Sequence, residues 1–275
     1  MVSDQRAGAQ DIVSLLSDRR DGRGSAELVR TLLDSMTAPS HLLRFIDLYG
    51  QFNAMFAGGV ASLAGAFHTQ PTTFVDASAP SSTSDRSSLV ASEVFFAAED
   101  EYADRLTGAR VTHRGLAQDL LEGMAEYWQV PVPDPDIAYA GFVDQVRRRV
   151  VDGYGVSRVL SDGELFRCLG FHLGAELLAD EEFGLIDRHL RRVEPDLVTH
   201  LATTSAESGA PLYQWISLHV VVEMEHFVHA CTAAELAVRF YIGPLSGPFE
   251  HVLAGFTDFQ DFQQEVFTEL FAIIS

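Results

Sequence analysis

The chain contains no lysine: all 19 of its basic residues are arginine. That absence excludes a Schiff-base lysine, a phosphate-loop lysine and a kinase lysine. Positive charge is scarce altogether, with 39 acidic residues giving a formal net charge of −20. Nucleic-acid or anionic-membrane partners need a basic face, and none is available. There are two cysteines, Cys168 and Cys231, too few for a disulfide framework or a cysteine-only zinc site. Each lies in an apolar helical pattern, so buried free thiols in a reducing compartment are expected. No apolar run reaches transmembrane length. MVSDQRAGAQ lacks the basic-then-apolar layout of a signal peptide, so a cytoplasmic location is expected. Convincing period-two strands are missing too.

What is present is helix after helix. A length of 275 residues with 47% hydrophobic content supports a sizeable core. Apolar residues recur at three- and four-residue spacing over 9–18, 25–36, 41–67, 88–107, 113–128, 137–152, 162–191, 193–206, 211–241 and 258–274. Ser40, Ser161 (three residues before Glu164) and Thr257 read as N-terminal caps. Breaks fall at 69–87, rich in Ser, Thr and Pro, at 130–136 and at 243–248. The organisation expected is all-α, one structural domain overall. In it, 1–87 forms a helical extension and flexible loop packing on a core at 88–275. The aromatic-rich C-terminus reads as a core helix.

One face of the 211–241 segment carries His219, Glu223 and His226. At about 100° per residue, Glu223 lies about 40° and His226 about 20° from His219, on either side of it. The remaining positions, Val220, Val221, Val222, Met224, Phe227 and Val228 among them, are apolar nearly all round, which predicts a helix buried on every side. Ionisable groups on such a helix are unfavourable unless paired, and a metal is the simplest partner for imidazole and carboxylate. Glu223 and His226 form an E-x-x-H pair, but a ferritin-like di-iron bundle needs two, and the chain has no second. H-E-x-x-H is absent, and its inverted form fails because Val222 stands where a histidine is needed.

H-x3-E-x2-H with upstream acids and a histidine resembles the haem-oxygenase-like non-haem di-iron oxidases and oxygenases, over roughly residues 88–274. The late motif is His219, Glu223 and His226. The middle glutamate most resembles Glu176 in FHLGAELLADEEF, with Glu182 on the same segment as the alternative. The early pair resembles Glu101 in AEDEYAD, with Glu99 as its competitor, and His113 in THRGLAQDLL. Eleven residues separate Glu101 from His113, a longer interval than relatives usually show, and TGAR at 107–110 would absorb the excess. His172, four before Glu176, is expected to support a ligand rather than be one. His229, about 80° from the His219 direction, is not expected to be a ligand.

The resemblance implies a haem-oxygenase-like bundle of about seven core helices with the N-terminal extension. It also implies two Fe(II) ions held by Glu101, His113, Glu176, His219, Glu223 and His226, with O2 as co-substrate and an external electron donor. The substrate favoured is a small amino acid or its derivative, undergoing C–H activation such as desaturation or cyclisation in bacterial specialised metabolism. N-oxygenation and carbon–carbon cleavage are other outcomes of the family, and a homodimer is possible. An amino-acid carboxylate calls for an arginine fork: Arg105, Arg110 and Arg158 are the candidates, while Arg239 points away from the His219 face. Three other readings compete. They are a metal-free thiaminase-like hydrolase using a cysteine nucleophile, a non-catalytic helical binding protein, and a haem protein with one axial histidine.

Overall fold

The structure is a computed structural model; it describes Ile12, Leu15, Leu16 and residues 25–70, 73–74, 86–103, 111–132 and 137–274. Among these the chain is all-helical. It runs α1 (Ser25–Ser35), α2 (Pro39–Asn53), α3 (Phe56–His68), α4 (Arg86–Tyr102), α5 (His113–Trp128), α6 (Ile137–Gly153), α7 (Asp162–Val193), α8 (Pro195–Thr203), α9 (Gln214–Phe240) and α10 (Pro248–Ile274). β-structure among the described residues is confined to two isolated bridges, Phe74 with Tyr241 and Ser205 with Pro211. No helix among the described residues is long and apolar enough to cross a membrane.

The longest helix, α7, has 32 residues and spans about 48 Å. Its start is the one the sequence indicates. The Ser161 backbone N–H donates to the Glu164 carboxylate at 2.9 Å, and the Glu164 N–H donates back to the Ser161 hydroxyl at 3.4 Å. Arg191 and Arg192 in its last turn complement the negative end of the helix dipole. Glu194 then leaves the helical region (φ −132°, ψ 54°), as a residue before proline tends to, and Pro195 opens α8. Against α7 pack α10 on one side and α9 on another; α4 lies on α9, α3 on α4, and α2 on α5. Buried apolar residues from Ile12 to Ile274 form one continuous cluster.

Three expectations need correction. The 41–67 segment is two helices, α2 and α3, separated at Ala54 and Met55. The Met55 N–H reaches back three residues to the Phe52 carbonyl (3.3 Å), a tightening that no proline or glycine there announces. Ser40 lies inside α2, which Pro39 opens behind Ala38, a residue with no side-chain cap. Thr257 is inside α10, which begins ten residues earlier than expected, at Pro248. Gly255 lies inside this helix, where glycine is ordinarily unfavourable. Its presence has a packing cause: a Cβ there would sit 1.8 Å from the Arg167 carbonyl oxygen on α7. Gly170 meets α10 in the same way, 1.8 Å from the Val252 carbonyl oxygen. The two helices touch backbone to backbone at this crossing.

The expectation that α9 is buried all round also fails. Val221 is 65% exposed, and Val220, Met224 and Val228 are between 40% and 48% exposed. Its neighbours α4, α5 and α7 cover only the face carrying His219, Glu223 and His226. Apolar composition alone cannot separate a covered face from an exposed one, since much of any protein surface is apolar.

Gly170→Ala or Gly255→Ala should force α7 and α10 apart and destabilise the fold by about 3 kcal/mol, the upper end for overpacking. Gly141→Ala in α6, where a Cβ meets nothing within 4 Å, should be neutral or stabilising by up to about 1 kcal/mol. Urea unfolding of the three variants tests this; equal behaviour would contradict the close crossing.

Candidate metal centre

The inward stripe of α9 sets the centre. His219, Glu223 and His226 are all at most 3% exposed, sharing one side of the helix as the 3.6-residue period requires. The His219 Nδ1–H donates to the Trp215 carbonyl one turn back at 2.6 Å, leaving Nε2 as the free nitrogen. The ring stacks on Phe183 with centroids 4.0 Å apart. Burial, then the nearby His113, holds His219 well below the usual histidine range, so it is a neutral imidazole.

The other donors come from three helices. Thr112 caps α5, its hydroxyl accepting from the Gly115 N–H at 3.1 Å, which fixes His113 as the first helical residue. The His113 Nδ1 lies 3.1 Å from Glu101 Oε1, and its ring lies edge-on to His219 with centroids 4.5 Å apart. Glu101 closes the last turn of α4. From α7 comes Glu176, 7% exposed, whose Oε2 lies 3.5 Å from His226 Nδ1.

These six residues form two triplets, Glu101–His113–His219 and Glu176–Glu223–His226. Within each, one donor atom per residue lies within 4.8 Å of the others, so either triplet could hold a metal ion. Glu223 stands between them: Oε1 is 3.6 Å from His219 Nε2, and Oε2 is 3.5 Å from His226 Nδ1. The charges are strongly coupled. Burial pulls His226 toward neutrality, but hydrogen bonds with Asp100, Glu176 and Glu223 overcome it and favour the imidazolium. Burial likewise opposes the Glu176 carboxylate, yet His172 and His226 hold its carboxyl well below the usual range. Glu223, with burial dominant, is pushed up to about 8.

The structure separates the alternatives that sequence left open. Glu99 is exposed, while Glu101 is half-buried and belongs to a triplet. Glu182 is buried but outside both triplets: it accepts from the Tyr49 hydroxyl at 2.6 Å and from the Gln263 side-chain amide. His172 supports Glu176, with Nδ1 3.1 Å from its Oε1. His229 turns away, pairing with Glu93 at 2.6 Å and stacking on Phe96.

Sequence reasoning missed Asp100. This residue is 3% exposed, and its carboxylate accepts from His226 Nε2 at 2.9 Å. A usable signal existed. The small buried stripe Val90, Val94, Ala97 and Ala98 leads at helical spacing to Asp100 and Glu101. The large aromatics on α4 mislead, because Phe95 and Tyr102 are exposed.

A cavity of about 30 Å³ adjoins the triplets, lined by the carboxylate residues Glu101, Glu176, Glu223 and Glu182 and by rings including Phe52 and Phe259. No arginine among the described residues lines it. Arg158 is exposed, at a separate surface cavity, and Arg105 and Arg110 lie outside the described residues. Cys168 and Cys231 are buried thiols whose pKa values burial pushes up to about 11 and about 12. No protein-family model, curated protein or solved structure matches the chain.

Burial is also the main cause that raises Glu182 from 4.5 to about 7, despite the stabilising bonds from Tyr49 and Gln263. Between those values the folded chain keeps a proton that the unfolded chain has released. Glu182 therefore contributes a loss of stability as pH rises from 4.5 to 7, at most about 3 kcal/mol. Glu182→Gln should remove that component, since the Gln263 amide can flip to accept from the new amide. The measurement is the difference in unfolding free energy between wild type and variant across pH 4.5–7. Parallel pH profiles would show that Glu182 does not carry the proton.

Proposed function

We propose that the chain is an O2-dependent non-haem di-iron oxidase or oxygenase on a haem-oxygenase-like bundle, acting on a small amino acid or amino-acid-derived substrate. The observation that carries the reading is the position of Glu223, with one carboxylate oxygen facing each triplet. Two donor triplets, with a carboxylate of one facing a histidine of the other, fit two adjacent cations better than one. The donor chemistry agrees: three carboxylates and three imidazoles suit iron, whereas structural zinc usually takes cysteine. Orphaned atoms agree as well. His113 Nε2 and His219 Nε2 are buried with no hydrogen-bond partner, a state that costs about 1–3 kcal/mol per group unless a ligand takes the lone pair.

Two ferrous ions bound there would supply the electrons that activate O2 and the oxidising power to attack a substrate bond. The chain's own residues do the rest. Glu101, His113 and His219 would hold one ion and Glu176 and His226 the other, with Glu223 between them. His219 is poised as a neutral donor because its Nδ1 proton is committed to the Trp215 carbonyl. Phe183, stacked on His219, keeps water from that side. The adjoining cavity has room for about one water, so substrate entry requires its walls, Phe52 and Phe259 among them, to move. Restoring the ferrous state calls for an external electron donor.

A structural ion-pair network is the competing reading, favoured by the contacts of His226 with three carboxylates. It gives no hydrogen-bond partner to His113 Nε2, and to His219 Nε2 only the Glu223 carboxylate at 3.6 Å, beyond hydrogen-bond reach. A cysteine-nucleophile hydrolase fares worse, because both thiols are buried and held protonated.

Anaerobic Fe(II) loading followed by desalting should leave two irons per chain. Glu223→Ala should lower that to one or none, and His226→Ala to one. The loaded protein should consume O2, and a mass-spectrometric screen of amino acids and fatty acids should find a compound that loses two hydrogens or gains oxygen. No retained iron, or retention unchanged in His226→Ala, would sink the proposal.

A further inference from the structure

Asp100 and Glu101 are consecutive at the end of α4, and they serve different triplets. Glu101 belongs to the His113–His219 triplet, while Asp100 lies behind His226 in the other. The Asp100 carboxylate accepts from Nε2 of His226 at 2.9 Å, and the opposite ring nitrogen, Nδ1, faces Glu176 and Glu223 at 3.5 Å each. Which imidazole nitrogen binds a metal is set by the hydrogen bond the other one makes. A carboxylate held on Nε2 cannot reach an ion seated on Nδ1, because the two nitrogens point to different sides of the ring. His219 is braced in the same manner by a neutral acceptor, the Trp215 carbonyl.

We propose that Asp100 is a positioning residue for the Glu176–Glu223–His226 position: it holds the proton on His226 Nε2, presents Nδ1 as the ligand atom and strengthens it as a donor. The inference rests on the two-metal reading. An anionic acceptor pulls the Nε2 proton toward itself and increases electron density on Nδ1 more than a carbonyl does. The two histidines that flank Glu223 are therefore braced differently, His226 by a charge and His219 by a dipole. The last turn of α4 also ties them together, since a shift of that turn moves a ligand of one position and the brace of the other.

The test is Co(II) and Fe(II) titration of the full chain under anaerobic conditions, with affinity read by chelator competition. Wild type, Asp100→Asn and Asp100→Ala are compared, with folding checked by urea unfolding. Asn keeps an acceptor oxygen but no charge. The expected order is wild type tightest, Asn several-fold weaker and Ala about 10–100-fold weaker at one of the two positions, with the other position unchanged. Equal affinities in folded variants would overturn the inference while leaving the two-metal reading intact. If Asn loses the metal as completely as Ala, Asp100 is itself a ligand and the positioning role is wrong. A wild type that binds no metal removes both. Nitrogen-15 NMR of the Zn(II)-loaded wild type gives a readout independent of variant folding. It should show His226 protonated on Nε2 and metal-bound through Nδ1, and metal on Nε2 would contradict the proposal.

Discussion

Burying charge on the inner face of α9 is the constraint around which this fold is organised. A lone carboxylate or imidazolium removed from water is costly enough to unfold a marginally stable domain, so each must find a partner. His226 finds its partners on other helices, Asp100 of α4 and Glu176 of α7; Glu223 lies between His219 and His226 on α9 itself, and the Glu101–His113 pair from α4 and α5 completes the cluster. The packing of α4, α5 and α7 on α9 thus does two jobs at once, covering an apolar stripe and completing a polar cluster. Where no such partner is needed, on the outer side, α9 is left open to solvent through Val221 and Met224.

Precision in that cluster requires stiff supports. α7 supplies one by length and capping, and by its backbone contact with α10 at Gly170 and Gly255. With no side chains between the helices there, the crossing has little freedom to slide, and Glu176 lies less than two turns beyond Gly170. The hydrogen bond of His172 to Glu176 then fixes the carboxylate on the helix itself. His113 is held differently, by its place as the first residue of a capped helix. In each case a local backbone device, capping or close packing, determines where a donor atom stands.

Much of this was legible in the sequence, for identifiable reasons. The period of 3.6 placed His219, Glu223 and His226 together without knowledge of any neighbour, and Ser161 with Glu164 marked the start of α7. Glu101, Glu176 and His113 came from motif resemblance, and the structure gathers them with the α9 residues into two triplets. What stayed hidden depends on contacts distant in the chain. The role of Gly255 shows only when α7 is set against it. Asp100 looks like one more acid in AEDE until His226, 126 residues later, is brought to 2.9 Å. The outward apolar face of α9 carries the same residue types as a buried one, and only the arrangement of its neighbours distinguishes them.

On the proposed reading, substrate choice would belong to a different part of the molecule from metal binding. The donors lie on α4, α5, α7 and α9, but the cavity beside them is walled in part by Phe52 and Phe56, at the junction of α2 and α3, and by Phe259 of α10. That junction is the unannounced break at Ala54 and Met55. Its position turns two aromatic rings toward the centre, and Tyr49, one turn earlier, anchors the same region through its bond to Glu182. On the same reading, a substrate carboxylate would find no arginine among the described residues that line this cavity, whereas an ammonium group or an apolar end needs none. An arginine fork would then act from outside those walls, leaving the end of the substrate opposite its carboxylate nearest the metal position.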